Sequence, residues 1–199
     1  MRHCGRVAVL ASIVLLHLGA YWSITRLAAL LPPDALRDFT TRVDALIPHL
    51  PWTWPFYWIA YPFVVVAGGN VLLRLPASSF RRAALGLAGM TVLGAAIQIA
   101  VPARAPWPAD PAPAQQRFHD SALVLPYATL PSMHVAYVAF VAGVRAATVR
   151  AGSAGATGLL VLTLVLASTL TLKEHVLLDA AAGLALAGAA FAWWRRGAR

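Results

Sequence analysis

The sequence carries little charge for its length. Only 12% of its 199 residues are charged, whereas 60% are hydrophobic, and the mean hydropathy is +0.70. In soluble globular domains about a quarter of the residues are charged. The composition therefore excludes an ordinary soluble fold and indicates an integral membrane protein.

Cysteine is almost absent. The one thiol, Cys4, lies in the basic N-terminal flank, and a single cysteine can build neither an intramolecular disulfide nor a thiolate metal cluster. Acid pairs with the spacing of a divalent-ion site are also missing, because Glu174 and Asp179 are five residues apart and would point to different faces of a helix. The sequence therefore implies no metal and no cofactor.

Long apolar runs are abundant, and each is close to the roughly 20 residues that one membrane crossing needs. They predict an all-α, six-transmembrane-helix bundle that forms a single membrane domain over residues 1–199. The first run could instead be a signal peptide, because basic residues precede it and small residues end it. The segment 32–54 is predicted to be a loop or a short amphipathic helix at the membrane interface. The proline-rich segment 102–126 is predicted to be a loop outside the membrane. The predicted crossings are at about 7–30, 55–75, 83–101, 131–149, 157–173 and 175–194.

Acidic residues are scarce, and the two signs of charge separate when the predicted helices alternate across the membrane. All seven acids fall at or near one side, and ten of the 16 basic residues fall on the other. Cytoplasmic loops carry the excess of Lys and Arg, so both termini are predicted to be cytoplasmic, in a bacterial-type plasma membrane. Because the arginines are scattered over four short loops, we expect contact with anionic lipids rather than with nucleic acid. The ten basic residues are Arg2, Arg6, Arg74, Arg81, Arg82, Arg145, Arg150, Arg195, Arg196 and Arg199.

Three polar stretches then meet on the extracytoplasmic side: "PARAP", "PSMH" and "KEHVLLD". Ionisable side chains are expensive at membrane depth and are candidates for a functional site. His175 and Asp179 are four residues apart, so on a helix the carboxylate can accept a hydrogen bond from Nδ1–H and leave Nε2 free. Such an imidazole is a good nucleophile or base. His134 supplies a second imidazole that can act as acid and base.

Cleavage of a phosphoester would also require donors for the phosphate oxygens. Arg104, Lys173 and Ser132 lie on the predicted side for this role. Each also has a plainer interpretation. Ser132 follows a proline and can cap a helix, Lys173 can extend to the membrane interface, and Arg104 can contact lipid headgroups.

These stretches resemble the motifs of the type 2 phosphatidic acid phosphatase superfamily, which read K-x6-R-P, P-S-G-H and S-R-x5-H-x3-D. The second is similar to residues 131–134, and the third to Ser168-Thr169 followed by His175 and Asp179. The first is reduced to residues 104–106, without its lysine. "TLPSMHVAY" and "STLTLKEHVLLDAAAG" resemble the branch of inositol phosphorylceramide synthases and sphingomyelin synthases, which has a His-His-Asp triad.

The resemblance covers about residues 85–190 and implies a six-helix bundle with its site at the membrane boundary. It implies that His175 is a nucleophile that forms a phosphohistidine, that Asp179 orients it, and that His134 is the acid and base. The expected reaction is hydrolysis of a lipid phosphomonoester of the phosphatidate or polyprenyl phosphate type. The candidates for binding the substrate phosphate are Arg104, Ser132, Lys173 and Ser168.

Three alternatives stay open. Thr169 stands where the motif has arginine, and the less cationic site that results suits a phosphodiester, so headgroup transfer between lipids is one alternative. Two histidines on different membrane helices could instead ligate haem, although Asp179 would then be unexplained. A non-enzymatic role in lipid binding or transport is supported only by the membrane spans.

Overall fold

The computed structural model describes residues 3–108, 110–111, 113–120, 127, 129–149 and 152–197, which are mostly helical. Two 3₁₀ turns cover Pro33–Ala35 and Pro51–Thr53, and a π-helical turn covers Phe63–Gly68. The α-helices are α1 (His3–Ala29), α2 (Arg42–Leu46), α3 (Trp54–Trp58), α4 (Ala60–Pro62), α5 (Gly69–Arg74), α6 (Ala77–Ala100), α7 (Pro113–Asp120), α8 (Met133–Thr148), α9 (Gly152–Thr171) and α10 (Leu177–Arg196).

Five helical segments are long and apolar enough to cross a membrane, which makes the chain an integral membrane protein. They are His3–Ala29, Pro51–Arg74, Ala77–Ala100, Gly152–Thr171 and Leu177–Arg196. Helix α8 is also apolar but has only 16 residues, or about 24 Å of helix, which is short of the roughly 30 Å hydrocarbon core. The predicted count of six crossings is therefore not confirmed.

The second spanning segment, Pro51–Arg74, is irregular. Helices α3 and α4 are followed by the π-helical turn Phe63–Gly68, and only then does α5 begin. Pro62 ends α4 at this point, and a proline inside a helix removes a hydrogen-bond donor and crowds the preceding turn. Single π turns inside helices are frequent at functional sites.

Helix α8 is the centre of the bundle and packs against α9 and α10. Gly183 of α10 lies directly on the start of α8, where an added Cβ would stand 2.4 Å from the carbonyl oxygen of Ser132. This close approach lets the backbone N–H of Ser132 donate to the carbonyl of Asp179 at 2.9 Å. The crossing of α8 and α10 therefore fixes the position of the PSMH stretch relative to Asp179.

Basic residues gather at one end of the bundle. The guanidinium of Arg6 donates to the carbonyl oxygens of Leu73 and Leu75 at 2.8 and 2.6 Å. The indole of Trp194 donates to the carbonyl of Ser79 at 3.1 Å. The start of α1, the end of α5, the start of α6 and the end of α10 therefore meet, and these segments carry most of the basic residues singled out above.

The opposite end is covered by the loops that hold the acidic residues. The backbone of Arg37 donates to the carbonyl of Pro102 at 2.8 Å, which joins the two longest connections. The segment 102–126, predicted as a loop, contains helix α7. Gln115 of this helix is fully buried and donates to the carbonyl of Leu172 at 3.0 Å. In these contacts the described parts of the two connections pack onto each other and onto the end of α9.

Candidate active site

A cavity of about 1040 Å³ lies between α1, the second spanning segment, α6 and α8. His134 and His175 both line it. Their ring centroids are 6.3 Å apart. The fold therefore brings the two histidines of the PSMH and KEHVLLD stretches to one surface, although 40 residues of chain separate them.

The contact between His175 and Asp179 forms at the start of a helix. Helix α10 begins at Leu177, so His175 precedes the helix instead of lying on it as predicted. In the first turn, the Asp179 carboxylate accepts from the backbone N–H of Val176 at 3.2 Å, and the same oxygen lies 3.3 Å from Nδ1 of His175. A carboxylate only accepts, so the contact favours the Nδ1–H tautomer. Nε2 is then the nitrogen with a lone pair.

His134 is enclosed by two tyrosines of the second spanning segment. The hydroxyl of Tyr61 lies 2.8 Å from Nε2, and that of Tyr57 lies 3.4 Å from Nδ1. Both tyrosine rings also pack against the imidazole. These tyrosines lie outside the three polar stretches that the sequence brings to this side. Their spacing of four residues places two phenols on one helix face, but that spacing does not identify the partner that the face meets.

The two candidate serines have different surroundings. Ser132 is the N-cap residue of α8, yet its side chain makes no capping hydrogen bond. Its hydroxyl is buried and has no hydrogen-bond partner within the described residues. The hydroxyl of Ser168 donates to the carbonyl of Val165 in its own helix at 3.0 Å. Neither serine lines the cavity.

Lys173 has protein partners in place of the expected phosphate. It follows α9 with φ of 60°, in the left-handed region that non-glycine residues adopt infrequently. Its ammonium donates to the carbonyl oxygens of Asp44 and Ile47, at the end of α2, at 2.9 and 2.6 Å. Lys173 is not part of the cavity lining.

Arg104 is not part of the cavity lining either. Its guanidinium lies 3.7 Å from the Asp38 carboxylate, and the two side chains are 45% and 42% exposed. Exposed pairs of this kind contribute about 0 to 1 kcal/mol. The structure thus places neither of the two basic phosphate-binding candidates against the histidines.

Asp44 connects the first extramembrane segment to the site. Its carboxylate accepts from the backbone N–H of Leu177, the first residue of α10, at 2.7 Å. Burial raises the pKa of this carboxyl, but hydrogen bonds from the Thr41 hydroxyl and from the N–H groups of Leu177 and Thr41 outweigh burial and hold the pKa below its usual value. The negative charge at the start of α10 also interacts favourably with the helix dipole. Asp44 and Lys173 together hold α2 over the active-site end.

The polar lining of the cavity is neutral or acidic. Glu174, which precedes the candidate nucleophile, is buried and accepts from the Gln115 amide at 2.6 Å. Gln98 contributes a second amide. Among the residues that the structure describes, no lysine or arginine lines the cavity. Phosphate oxygens entering here would meet hydroxyls, amides and imidazoles.

Comparison with known proteins places this geometry in a family. No curated protein and no solved structure matched the chain. The model of the PAP2 superfamily matches residues 22–193, which confirms the resemblance at the level of the superfamily, whereas the branch within it stays a prediction. Because this match covers most of the chain and includes both histidines and Asp179, the chain belongs to the PAP2 superfamily.

Proposed function

We propose that the protein is a lipid phosphatase or phosphotransferase that carries the phosphoryl group of its substrate on His175. One observation carries the proposal: His175 and His134 face one cavity with ring centroids 6.3 Å apart, and Asp179 lies 3.3 Å from Nδ1 of His175. One imidazole is oriented by a buried carboxylate and the other stands opposite. Membership of the PAP2 superfamily supports a phosphatase-type activity on a lipid phosphate.

The proposed reaction has two displacements. Asp179 accepts from Nδ1–H of His175, and the Nε2 lone pair attacks phosphorus while the ester bond to the lipid breaks. Protonated His134 gives its proton to the leaving alkoxide. Neutral His134 then takes a proton from a water or hydroxyl group as that oxygen attacks phosphorus. The bond between phosphorus and nitrogen breaks, and both histidines return to their starting states.

Hydrolysis of a lipid phosphomonoester, such as phosphatidate or a polyprenyl phosphate, is the first candidate reaction. Water reaches a site at the membrane surface, and the described connections contain no separate acceptor domain. Ser132 remains a candidate for contact with the phosphate because its buried hydroxyl lacks a partner within the described residues. Arg104, Lys173 and Ser168 would have to leave their present contacts to take part.

Headgroup transfer between lipids is the second candidate, and the lack of lysine and arginine in the described lining favours it. A phosphomonoester carries nearly two negative charges at neutral pH, whereas a phosphodiester carries one. The described lining offers no lysine or arginine to balance the second charge. Tyrosine hydroxyls and the Gln98 amide suit a phosphodiester better.

Haem binding would require iron to displace the Tyr61 hydroxyl, which lies 2.8 Å from Nε2 of His134. It would also leave the contact between Asp179 and His175 unexplained. A purified protein without a Soret band would exclude this role, and a strong band would revive it.

The test measures products from purified protein in liposomes. One arm supplies radiolabelled phosphatidate, and the other supplies a labelled phosphodiester lipid with diacylglycerol, ceramide or inositol. Free phosphate in the first arm supports hydrolysis, and a new labelled lipid in the second supports transfer. Product formation should be lost in His175→Ala, slowed by about 10⁴-fold in Asp179→Asn, and unchanged in His3→Ala, which alters an exposed histidine outside the cavity. Equal activity of His175→Ala and the wild type would contradict the proposal.

A further inference from the structure

The cavity extends far from the two histidines. On α1 its lining runs from Val7 to Trp22, which is about 22 Å of helix at 1.5 Å per residue. Half of a bilayer's hydrocarbon core is about 15 Å thick. The two histidines lie near one end of the cavity. The cavity is therefore longer than the depth to which a lipid chain of one leaflet reaches.

The lining is divided into a polar and an apolar end. His17 marks the boundary, and its Nδ1 lies 3.1 Å from the Tyr137 hydroxyl, which lies 2.6 Å from the Thr91 hydroxyl. Every lining residue on the far side of His17 from the catalytic histidines is apolar or glycine. On this side the lining includes Leu10 and Ile13 of α1, Gly69, Leu72 and Leu73 of α5, and Leu87 of α6.

We propose that this apolar end, here named the chain pocket, binds a long hydrocarbon chain of the lipid substrate, which lies along α1 while the phosphate reaches His175. The inference rests on the proposed function and adds where the lipid body lies. A polar end beside the histidines and an apolar end of chain length fit a molecule with one phosphate and a long acyl chain. A bare phosphate or a short polyol phosphate would leave the chain pocket unfilled.

The hydrocarbon chain contributes mainly by positioning the substrate phosphate. A lipid tail that moves from the bilayer into the chain pocket exchanges one apolar medium for another, so close packing rather than the hydrophobic effect decides its binding. Seating the tail fixes the depth of the phosphate and aligns phosphorus with Nε2 of His175. Alignment of reacting atoms contributes strongly to rate, so activity should depend on the length of the substrate chain.

Two glycines provide a matched pair of variants. Gly69, in the lining of the chain pocket, would carry an added Cβ that meets no atom within 4 Å. Gly89 of α6 has equally open surroundings but is not part of the lining. A side chain can therefore start at either position without a clash at its Cβ, and a phenylalanine at Gly69 is the one expected to obstruct the chain pocket.

The kinetic test compares substrates that have the same headgroup and different chains. In detergent micelles, Gly69→Phe should reduce kcat/KM for a dioleoyl substrate by on the order of tenfold and leave a dihexanoyl substrate nearly unaffected, while Gly89→Phe changes neither. Equal effects of Gly69→Phe on both substrates, or no effect on either, would overturn the proposal. A bystander bilayer lipid in the chain pocket would not make the effect of Gly69→Phe depend on the chain length of the substrate. This dependence therefore identifies the substrate as the lipid that occupies the pocket.

A labelling test does not depend on catalysis. A phosphatidate with a photoreactive diazirine at the end of one oleoyl-length chain is irradiated with His175→Ala protein, and the adducts are mapped by mass spectrometry. Adducts on Leu10, Ile13, Leu72 or Leu73, which line the chain pocket and are buried or half-buried, support the chain pocket. Adducts confined to exposed positions outside it, such as Leu93 and Ile99, would contradict it. Because no turnover is needed, this result stands even if the phosphohistidine mechanism fails.

Discussion

The hydroxyl of Tyr61 lies 2.8 Å from Nε2 of His134. The proposed acid and base lines the cavity and is within hydrogen-bond distance of this phenol, and the second phenol, of Tyr57, stands 3.4 Å from Nδ1. A hydroxyl can donate and accept, so it can serve either tautomer of the imidazole. The tyrosines therefore fix the orientation of the ring.

Removing the Tyr61 hydroxyl should slow the reaction. Tyr61→Phe keeps the edge contact with the imidazole and deletes the hydrogen bond at Nε2. We expect kcat to fall by on the order of tenfold or more, in the range of acid–base contributions, with little change in KM. Tyr57→Phe should cost less, because its hydroxyl is at the outer limit of hydrogen bonding. Steady-state kinetics that show an unchanged kcat in Tyr61→Phe would rule out this role.

Adding one methyl group at Gly183 should loosen the site. An alanine Cβ there would stand 2.4 Å from the Ser132 carbonyl oxygen, so α8 and α10 would have to separate. We expect a loss of about 1–3 kcal/mol of stability and a lower kcat, measured by thermal unfolding in detergent and by activity. On the same helix, Gly188→Ala meets no atom within 4 Å and should be neutral or slightly stabilising. If Gly183→Ala and Gly188→Ala change stability and kcat equally, the close crossing of α8 and α10 is not the cause of the change.

Lys173 should be important for stability rather than for substrate binding. Lys173→Met removes an ammonium that donates to the carbonyls of Asp44 and Ile47, and we expect a loss of about 1–3 kcal/mol with KM nearly unchanged. Arg117→Met, at an exposed position of α7, serves as the control and should alter neither the stability nor KM. A large increase in KM without a loss of stability would instead restore Lys173 as a phosphate ligand.

The separation of charge predicts the orientation in the membrane. In a Cys4→Ser background, a cysteine in place of the exposed Asp110 should react with a membrane-impermeant reagent added to intact cells. A cysteine in place of the exposed Ser153 should not. The reverse labelling pattern would place the site on the cytoplasmic side.

The sequence was most informative where one interaction dominates. Apolar runs must lie in the membrane, so the predicted crossing at about 83–101 overlaps most of Ala77–Ala100. His134 and His175 could be paired because each stands at an apolar run and both were predicted on one side of the membrane. The structure places both on one cavity.

The sequence was least informative about contacts between loops and helix ends. Gln115 lies in a polar stretch predicted as a loop, but it is fully buried against Leu172 and Glu174. Lys173 was selected for its charge, whereas its partners are two carbonyls of a segment about 130 residues earlier in the chain. Such partners depend on how the loops dock, and charge or periodicity alone does not specify that.

The most direct test of the central claim is to trap the phosphorylated protein. Purified protein is mixed for a short time with the ³²P-labelled lipid that gives product, denatured in alkali, and digested for mapping by mass spectrometry. The account predicts label that survives alkali, is released by acid, lies on the peptide that contains His175, and is absent from His175→Ala. Label that persists in His175→Ala, or that maps to another residue in the wild type, would contradict the assignment of His175 as the nucleophile.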